Sequence, residues 1–164
     1  MIPDLRLELV AAAEYFYQQG WMLGTAGNLS ARLPDGSFWI TASGKTKGNL
    51  TLEDFVQVHP DGRIKAIPTL KPSAETAIHQ TLYTQFPKAQ ACYHVHSVEA
   101  NLVSRFVNAE TLLLPPLEML KGLGIWEENP HCAIAIFPNH LKVQQIATDI
   151  QQRFQANPPQ ITAL

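Results

Sequence analysis

Between Gly24 and Ile67 the chain is a series of short apolar runs, each closed off by a turn signal. Gly24-Thr25-Ala26-Gly27 sets two glycines three apart ahead of the alternating Asn28-Leu29-Ser30-Ala31-Arg32, a tight turn entering a strand. Pro34-Asp35-Gly36 then turns the chain into a strand over Ser37–Thr41. Thr51–Asp54 reads as a helical turn and Phe55–Val58 as a strand. Asp61-Gly62 is a hairpin turn that returns the chain through Arg63–Ile67. Strands joined this closely form a meander, and the predicted sheet is antiparallel rather than doubly wound and parallel.

Helices flank this meander. Pro3-Asp4 starts one whose Leu5, Leu9, Val10, Ala13, Phe16 and Tyr17 recur at helical spacing, and Gly20 ends it. A second opens at Lys71-Pro72-Ser73, with Ser73 as N-cap, and runs to about Gln85. A third is expected over Val98–Phe106 behind the N-cap Ser97. Leu112-Leu113-Leu114 is stopped by Pro115-Pro116, and Cys132–Phe137 reads as a strand. Asn139 is the expected cap of a last helix that turns Val143, Ile146, Ala147, Ile150 and Phe154 inward, and Ile161–Leu164 begins another strand.

With 164 residues and 46% apolar content, the chain fits one domain able to bury a real core. A formal charge of −2 leaves no basic stripe for nucleic acid. Two cysteines are too few for a disulfide framework, and no run reaches the ~18 apolar residues of a membrane span. Asp4, Arg6 and Glu8 interrupt the first apolar pattern and do not fit a signal peptide. The expectation is a cytoplasmic protein with neither a nucleic-acid nor a membrane partner.

The apolar run Ala89–Val95 reads as a buried strand that delivers His94 and His96 to one side, since residues i and i+2 share a face. Their Cα atoms lie about 6.6 Å apart. Two imidazoles at that spacing can converge on one ion, with Zn–N bonds of about 2.0–2.1 Å. They can equally be two exposed histidines at a strand end. Glu75 falls in the first turn of its helix, where the dipole alone favours a carboxylate. It can also orient His79, four residues on, or project toward a metal. Ala42-Ser43-Gly44-Lys45-Thr46-Lys47-Gly48 lacks Walker spacing but can hold an anion with amides and hydroxyls; its bland counterpart is a polar loop with solvated lysines. Glu118 stands among apolar neighbours, either partly buried with a raised pKa or on the wet face of a short helix. His59, His131 and His140 sit at turn positions and are expected to be exposed.

Gly27-Asn28-Leu29-Ser30, Thr41-Ala42-Ser43-Gly44, Lys71-Pro72-Ser73-Ala74-Glu75 and His94-Val95-His96-Ser97, in this order and spacing, resemble the class II aldolase/adducin family. Leu117–Gly122 and Gly124–Glu128 are most similar to its dehydratase branch, which works in methionine salvage. The resemblance implies a three-layer α/β/α domain around a mainly antiparallel sheet, and a homotetramer with sites between subunits. It implies a zinc-dependent lyase acting on a small phosphorylated ketose, with His94 and His96 on zinc. By the same resemblance Glu118 is the acid/base, Glu75 the carboxylate beside the metal, and Asn28, Ser43, Gly44 and Ser73 the phosphate holders. Lys45 and Lys47 can assist by charge. A sugar-phosphate aldolase or epimerase is the alternative of the same chemistry, and a non-catalytic interaction domain the alternative of another class.

The family's third zinc histidine lies on a strand that in this register begins near Ile161, and the sequence stops before it. Residues 1–164 are therefore expected to be one truncated domain lacking the family's C-terminal portion. Cys92 shares a face with His94 and His96, but its Cα lies about 13 Å from that of His96 along an extended strand. The family places none of His79, His131 and His140 at the metal.

Overall fold

The computed structural model describes residues 4–65 and 69–157. Helix α1 (Leu5–Gln18) starts where Asp4 accepts a hydrogen bond from the Arg6 amide. Strands β1 (Asn28–Arg32), β2 (Phe38–Thr41) and β3 (Phe55–Val58) follow as the predicted meander. Helix α2 (Thr76–Gln85) leads to β4 (Ala91–His94) and α3 (Val98–Phe106), then β5 (Thr111–Leu113), β6 (Ala133–Ala135) and α4 (Val143–Ala156). The main sheet has four strands in the order β3-β2-β1-β4, every pair antiparallel. Strands β5 and β6 form a separate antiparallel pair.

Alternation along the strands sorts the core into two sides. Leu29 and Ala31 of β1 join Leu9 and Ala13 of α1, with Met22, Leu50 and Phe55, on one face of the sheet. Phe38, Ile40 and Val58 on the opposite face pack against Tyr83 of α2. Helix α4 closes the outside of α2, its Ile150 and Phe154 meeting Ile78, Leu82 and Phe86. The result is helix, sheet and helix in layers, the expected α/β architecture. Each large apolar side chain so buried contributes roughly 1.5–3 kcal/mol. Because β1 is covered on both faces, Asn28 and Ser30, which share its α2 side, are as buried as Leu29 and Ala31.

Several local expectations shift. Strand β4 spans Ala91–His94 rather than Ala89–Val95, and its burial alternates between exposed and half-buried, because it is an edge strand paired with β1 alone. Helix α2 starts at Thr76 with Glu75 at its cap position, not behind Ser73, whose hydroxyl accepts from the Glu75 amide and donates to the Glu75 carboxylate in the turn before the helix. Helix α4 starts at Val143 behind Lys142, three residues beyond a cap at Asn139. Gly62 turns the chain as predicted, and among the described residues the return pairs with β3 as one bridge, Ile64 to Val58. Residues 66–68 and the predicted strand at Ile161–Leu164 fall outside the described residues. His131 is exposed; His59 is half-buried, as is His140, whose Nε2 lies 2.9 Å from an Asp149 carboxylate oxygen. Among the described residues, no helix is long and apolar enough to cross a membrane.

Candidate active site

A commensurate spacing builds the site. Alternate residues of a strand repeat at about 6.6–6.8 Å, and residues four apart on a helix at about 6 Å, so a strand stripe and a helix stripe can stay in step over two repeats. Glu75, at the start of α2, and His79 and Tyr83 within it form the helix stripe. Asn28 and Ser30 form the strand stripe facing it. Asn28 Nδ2 donates to Glu75 Oε2 at 2.8 Å, and Asn28 Oδ1 meets His79 Nε2. Ser30 Oγ lies 2.7 Å from His79 Nδ1 and 2.8 Å from the Tyr83 hydroxyl. Arg32, next on the strand, donates to the Pro87 and Tyr83 carbonyls, and its guanidinium lies 4.6 Å from the centre of the Tyr83 ring.

The β1–β4 register then brings in the histidines. Asn28 stands opposite His94, and its Nδ2 lies 3.2 Å from His94 Nδ1. His96, just past the strand end, is held by its amide donating to the Trp21 carbonyl at 2.8 Å. The two imidazole centres are 4.6 Å apart. Gly27 makes this approach possible: it has φ +73°, and a Cβ there would stand 2.6 Å from the His94 carbonyl oxygen.

Three loops gather at this end of the sheet. Ala42 bridges to Pro72 and the Ser43 amide donates to the Lys71 carbonyl at 2.8 Å, setting the exposed Ser43-Gly44 turn beside Ser73. Ser73 Oγ donates to Glu75 Oε2 at 2.7 Å and accepts from the Glu75 amide. Lys47 ties the first two loops together, its Nζ donating to the Thr25 and Lys45 carbonyls at 2.9 and 2.8 Å. The solvated-lysine alternative fails for Lys47, which is 2% exposed, and holds for Lys45, which pairs with Asp54 at 2.8 Å with its side chain 39% exposed.

Burial sets the charge states. It pushes His79 down to about 3, with the nearby His94 adding to the effect, so the ring is neutral. Burial also lowers His94, as does the His96 charge, while Glu75 pulls it back up. Lys47 is lowered by burial against the opposing pull of Glu75. The Cys92 thiol is pushed up to about 12 by burial and is neutral at ordinary pH.

Of the residues singled out in the sequence, Asn28, Ser73, Glu75 and His94 are joined by hydrogen bonds, with His96 beside them and Ser43-Gly44 on the adjoining loop. Glu118 is not joined to them. It begins a 3-10 turn, Glu118–Leu123, with its side chain 86% exposed and paired to Lys121 at 3.3 Å, so the wet-face reading holds over partial burial. Two imidazoles at this separation suit a shared divalent ion, but among the described residues no three His, Cys, Asp or Glu side chains converge as a metal cage. Sequence reasoning misses Ser30 and Tyr83 as parts of the site, and it pairs His79 directly with Glu75 where the structure joins them through Asn28; the steps 75, 79, 83 and 28, 30 are legible as helix and strand periods.

This layered fold, with a carboxylate and a histidine pair gathered at one end of an antiparallel sheet, is the frame of a family described as Class II Aldolase and Adducin N-terminal domain. Its profile matches residues 7–163, and the chain belongs to that family. Solved structures agree: a putative aldolase/epimerase/decarboxylase, YgbL of Escherichia coli, superposes with a TM-score of 0.76 at 29% identity, covering 91% of this chain and 69% of that one. L-fuculose-1-phosphate aldolase of Thermus thermophilus superposes at 0.71 with 26% identity, covering 92% of this chain and 70% of that one. In sequence, the chain is 63% identical to methylthioribulose-1-phosphate dehydratase of Microcystis aeruginosa, over 99% of its own length and 80% of that protein's. It is 46% identical to the dehydratase of the same name from Leptospira biflexa, covering 90% of itself and 74% of that relative.

Proposed function

We propose that the protein is a hydro-lyase that dehydrates 5-methylthioribulose 1-phosphate to 2,3-diketo-5-methylthiopentyl 1-phosphate, a step of methionine salvage in the cytoplasm. The observation that carries this reading is the Glu75–Asn28–His94 cluster beside His96, in a chain 63% identical to a dehydratase of that name. Residues 1–164 act as a single class II aldolase-like domain in this reading. His94 and His96 would hold a zinc ion, which when bound would supply Lewis acidity at the ketose carbonyl.

The chain's own residues do the rest. Ser43 and Gly44, on an exposed turn where Gly44 takes φ +73°, offer backbone and hydroxyl groups to the phosphate, joined by Ser73 from the adjoining segment, while Asn28, expected from the family resemblance to join them, spends its side-chain amide on Glu75, His94 and His79. Glu75, held by Ser73 and Asn28, keeps a fixed negative charge against the histidine pair. Glu118 takes the proton from C3 and returns it to the C4 hydroxyl, which leaves as water; tautomerisation then gives the diketone. No net oxidation occurs.

Glu118 reaches the site from a second copy of the chain. Its own segment presents an apolar surface, with Leu117 and Met119 open and Trp126 73% exposed. Packing that surface against another subunit, as in a homotetramer, would bury it and carry Glu118 toward a neighbour's His94. A sugar-phosphate aldolase or epimerase is the rival, favoured by the likeness to the Thermus enzyme.

The test is conversion of 5-methylthioribulose 1-phosphate by the zinc-loaded chain, with zinc content measured by mass spectrometry. Wild type should release the diketone; Glu118→Gln should hold zinc but not turn over, and His94→Ala should lose zinc. Cleavage of a ketose phosphate without dehydration would install the aldolase reading. Full activity in Glu118→Gln would remove Glu118 from its role.

A further inference from the structure

The polar ladder between β1 and α2 reads in one direction only. The Glu75 carboxylate accepts and cannot donate, so the atom that Asn28 turns to Glu75 Oε2 at 2.8 Å is its amide nitrogen. Its carbonyl oxygen therefore faces His79, and the facing Nε2 must carry a hydrogen. A neutral ring protonated at Nε2 leaves Nδ1 as an acceptor, so the Ser30 hydroxyl, 2.7 Å away, donates to it. Ser30 Oγ then accepts from the Tyr83 hydroxyl at 2.8 Å. Every hydrogen from Tyr83 to Glu75 has one assigned place.

We propose that His79 is a positioning residue: through Ser30 and Tyr83 behind it, it locks the amide of Asn28 so that Nδ2 points at Glu75 and His94. Among the described residues Asn28 is the one side chain hydrogen-bonded to both groups, and a flipped amide would put its oxygen against the carboxylate. The inner end of the chain is sealed, with His79 fully buried and Ser30 at 0% exposure, so water cannot substitute for a missing member. His79 touches neither metal nor substrate in this scheme; it acts through Asn28. The inference rests on the reading that Glu75 and His94 form the reacting end of the site.

The experiment combines side-chain nitrogen NMR of the wild-type chain with kinetics of two variants. The spectrum should show His79 as a single tautomer, protonated at Nε2; a ring protonated at Nδ1 reverses the ladder and overturns the proposal. His79→Gln places an amide donor near the Nε2 position, whereas His79→Leu fills the space without one. His79→Leu should lower kcat about 10- to 100-fold with KM little changed, as for other residues that orient a ligand from behind, and His79→Gln should restore most of it. Equal kcat in wild type and His79→Leu, or no recovery in His79→Gln, would refute it. Should His79→Leu fail to fold, Ser30→Ala, which keeps the imidazole but removes the donor to Nδ1 and the acceptor for Tyr83, must lower kcat in its place. If the wild type shows no dehydratase turnover, the proposed function fails on its own. The same variants are then ranked by zinc titration, where His79→Leu should bind roughly 10-fold more weakly and His79→Gln should not.

Discussion

Acid should destabilise this protein through His79 before it reaches most carboxylates. The ring's pKa is held near 3 in the fold, against 6.5 for an ordinary histidine. Between those values the unfolded chain binds a proton that the folded chain refuses, so stability rises with pH across the window. It is complete above about pH 6.5 and drains away as pH falls toward 3. At about pH 5 the ring sits roughly 1.5 units below its unfolded value, a loss of about 2 kcal/mol at 1.36 kcal/mol per unit. Against a domain stability of about 5–15 kcal/mol this is a large fraction. The assay is urea unfolding of the metal-stripped chain from about pH 7.5 to 5, beside His79→Gln, which keeps a donor to Asn28 but has no proton to take. His94 titrates in both proteins and cancels in the comparison. Wild type should lose about 2 kcal/mol more than the variant; parallel pH profiles would show that burial does not keep the ring neutral.

Two further outcomes follow from the same end of the sheet. Gly27→Ala forces an L side chain to φ +73° with its Cβ 2.6 Å from the His94 carbonyl oxygen, and should cost roughly 1–3 kcal/mol in thermal unfolding while displacing His94, read as weaker zinc binding. Lys47→Met keeps the buried stem but strips the Thr25 and Lys45 carbonyls of their shared donor, and should lower stability by about 1–3 kcal/mol in urea unfolding, with an unchanged midpoint refuting the cross-link.

The fold was largely legible because its signals are local. Turn residues at 34–36 and 61–62, the capping serine at 97 and the period-2 runs of β1–β3 act within a few positions, and the structure follows them. Where local signals compete, the sequence misled. Ser73 is a good helix cap by type, yet its hydroxyl turns to a carboxylate two residues on. Asn139 is another, yet α4 waits until Val143. For Glu118 its apolar neighbours left partial burial and a wet helix face both open, and the structure takes the wet face: Leu117 and Met119 are exposed beside it and Leu120 alone of the three turns inward.

By itself the sequence determined which groups could do chemistry: the order of the motifs at 27–30, 41–44, 71–75 and 94–97, and the pairing of His94 with His96 by strand period. Only the tertiary structure decided how they connect. The β1–β4 register sets Asn28 opposite His94, and the packing of α2 on β1 sets Glu75, His79 and Tyr83 against Asn28 and Ser30. A helix step and a double strand step of similar length make that ladder possible, but nothing in either segment alone says that the two will lie side by side. Burial, which turns His79 from an ordinary titrating ring into a fixed neutral one, is a property of all the layers around it and is written in no single stretch of the chain.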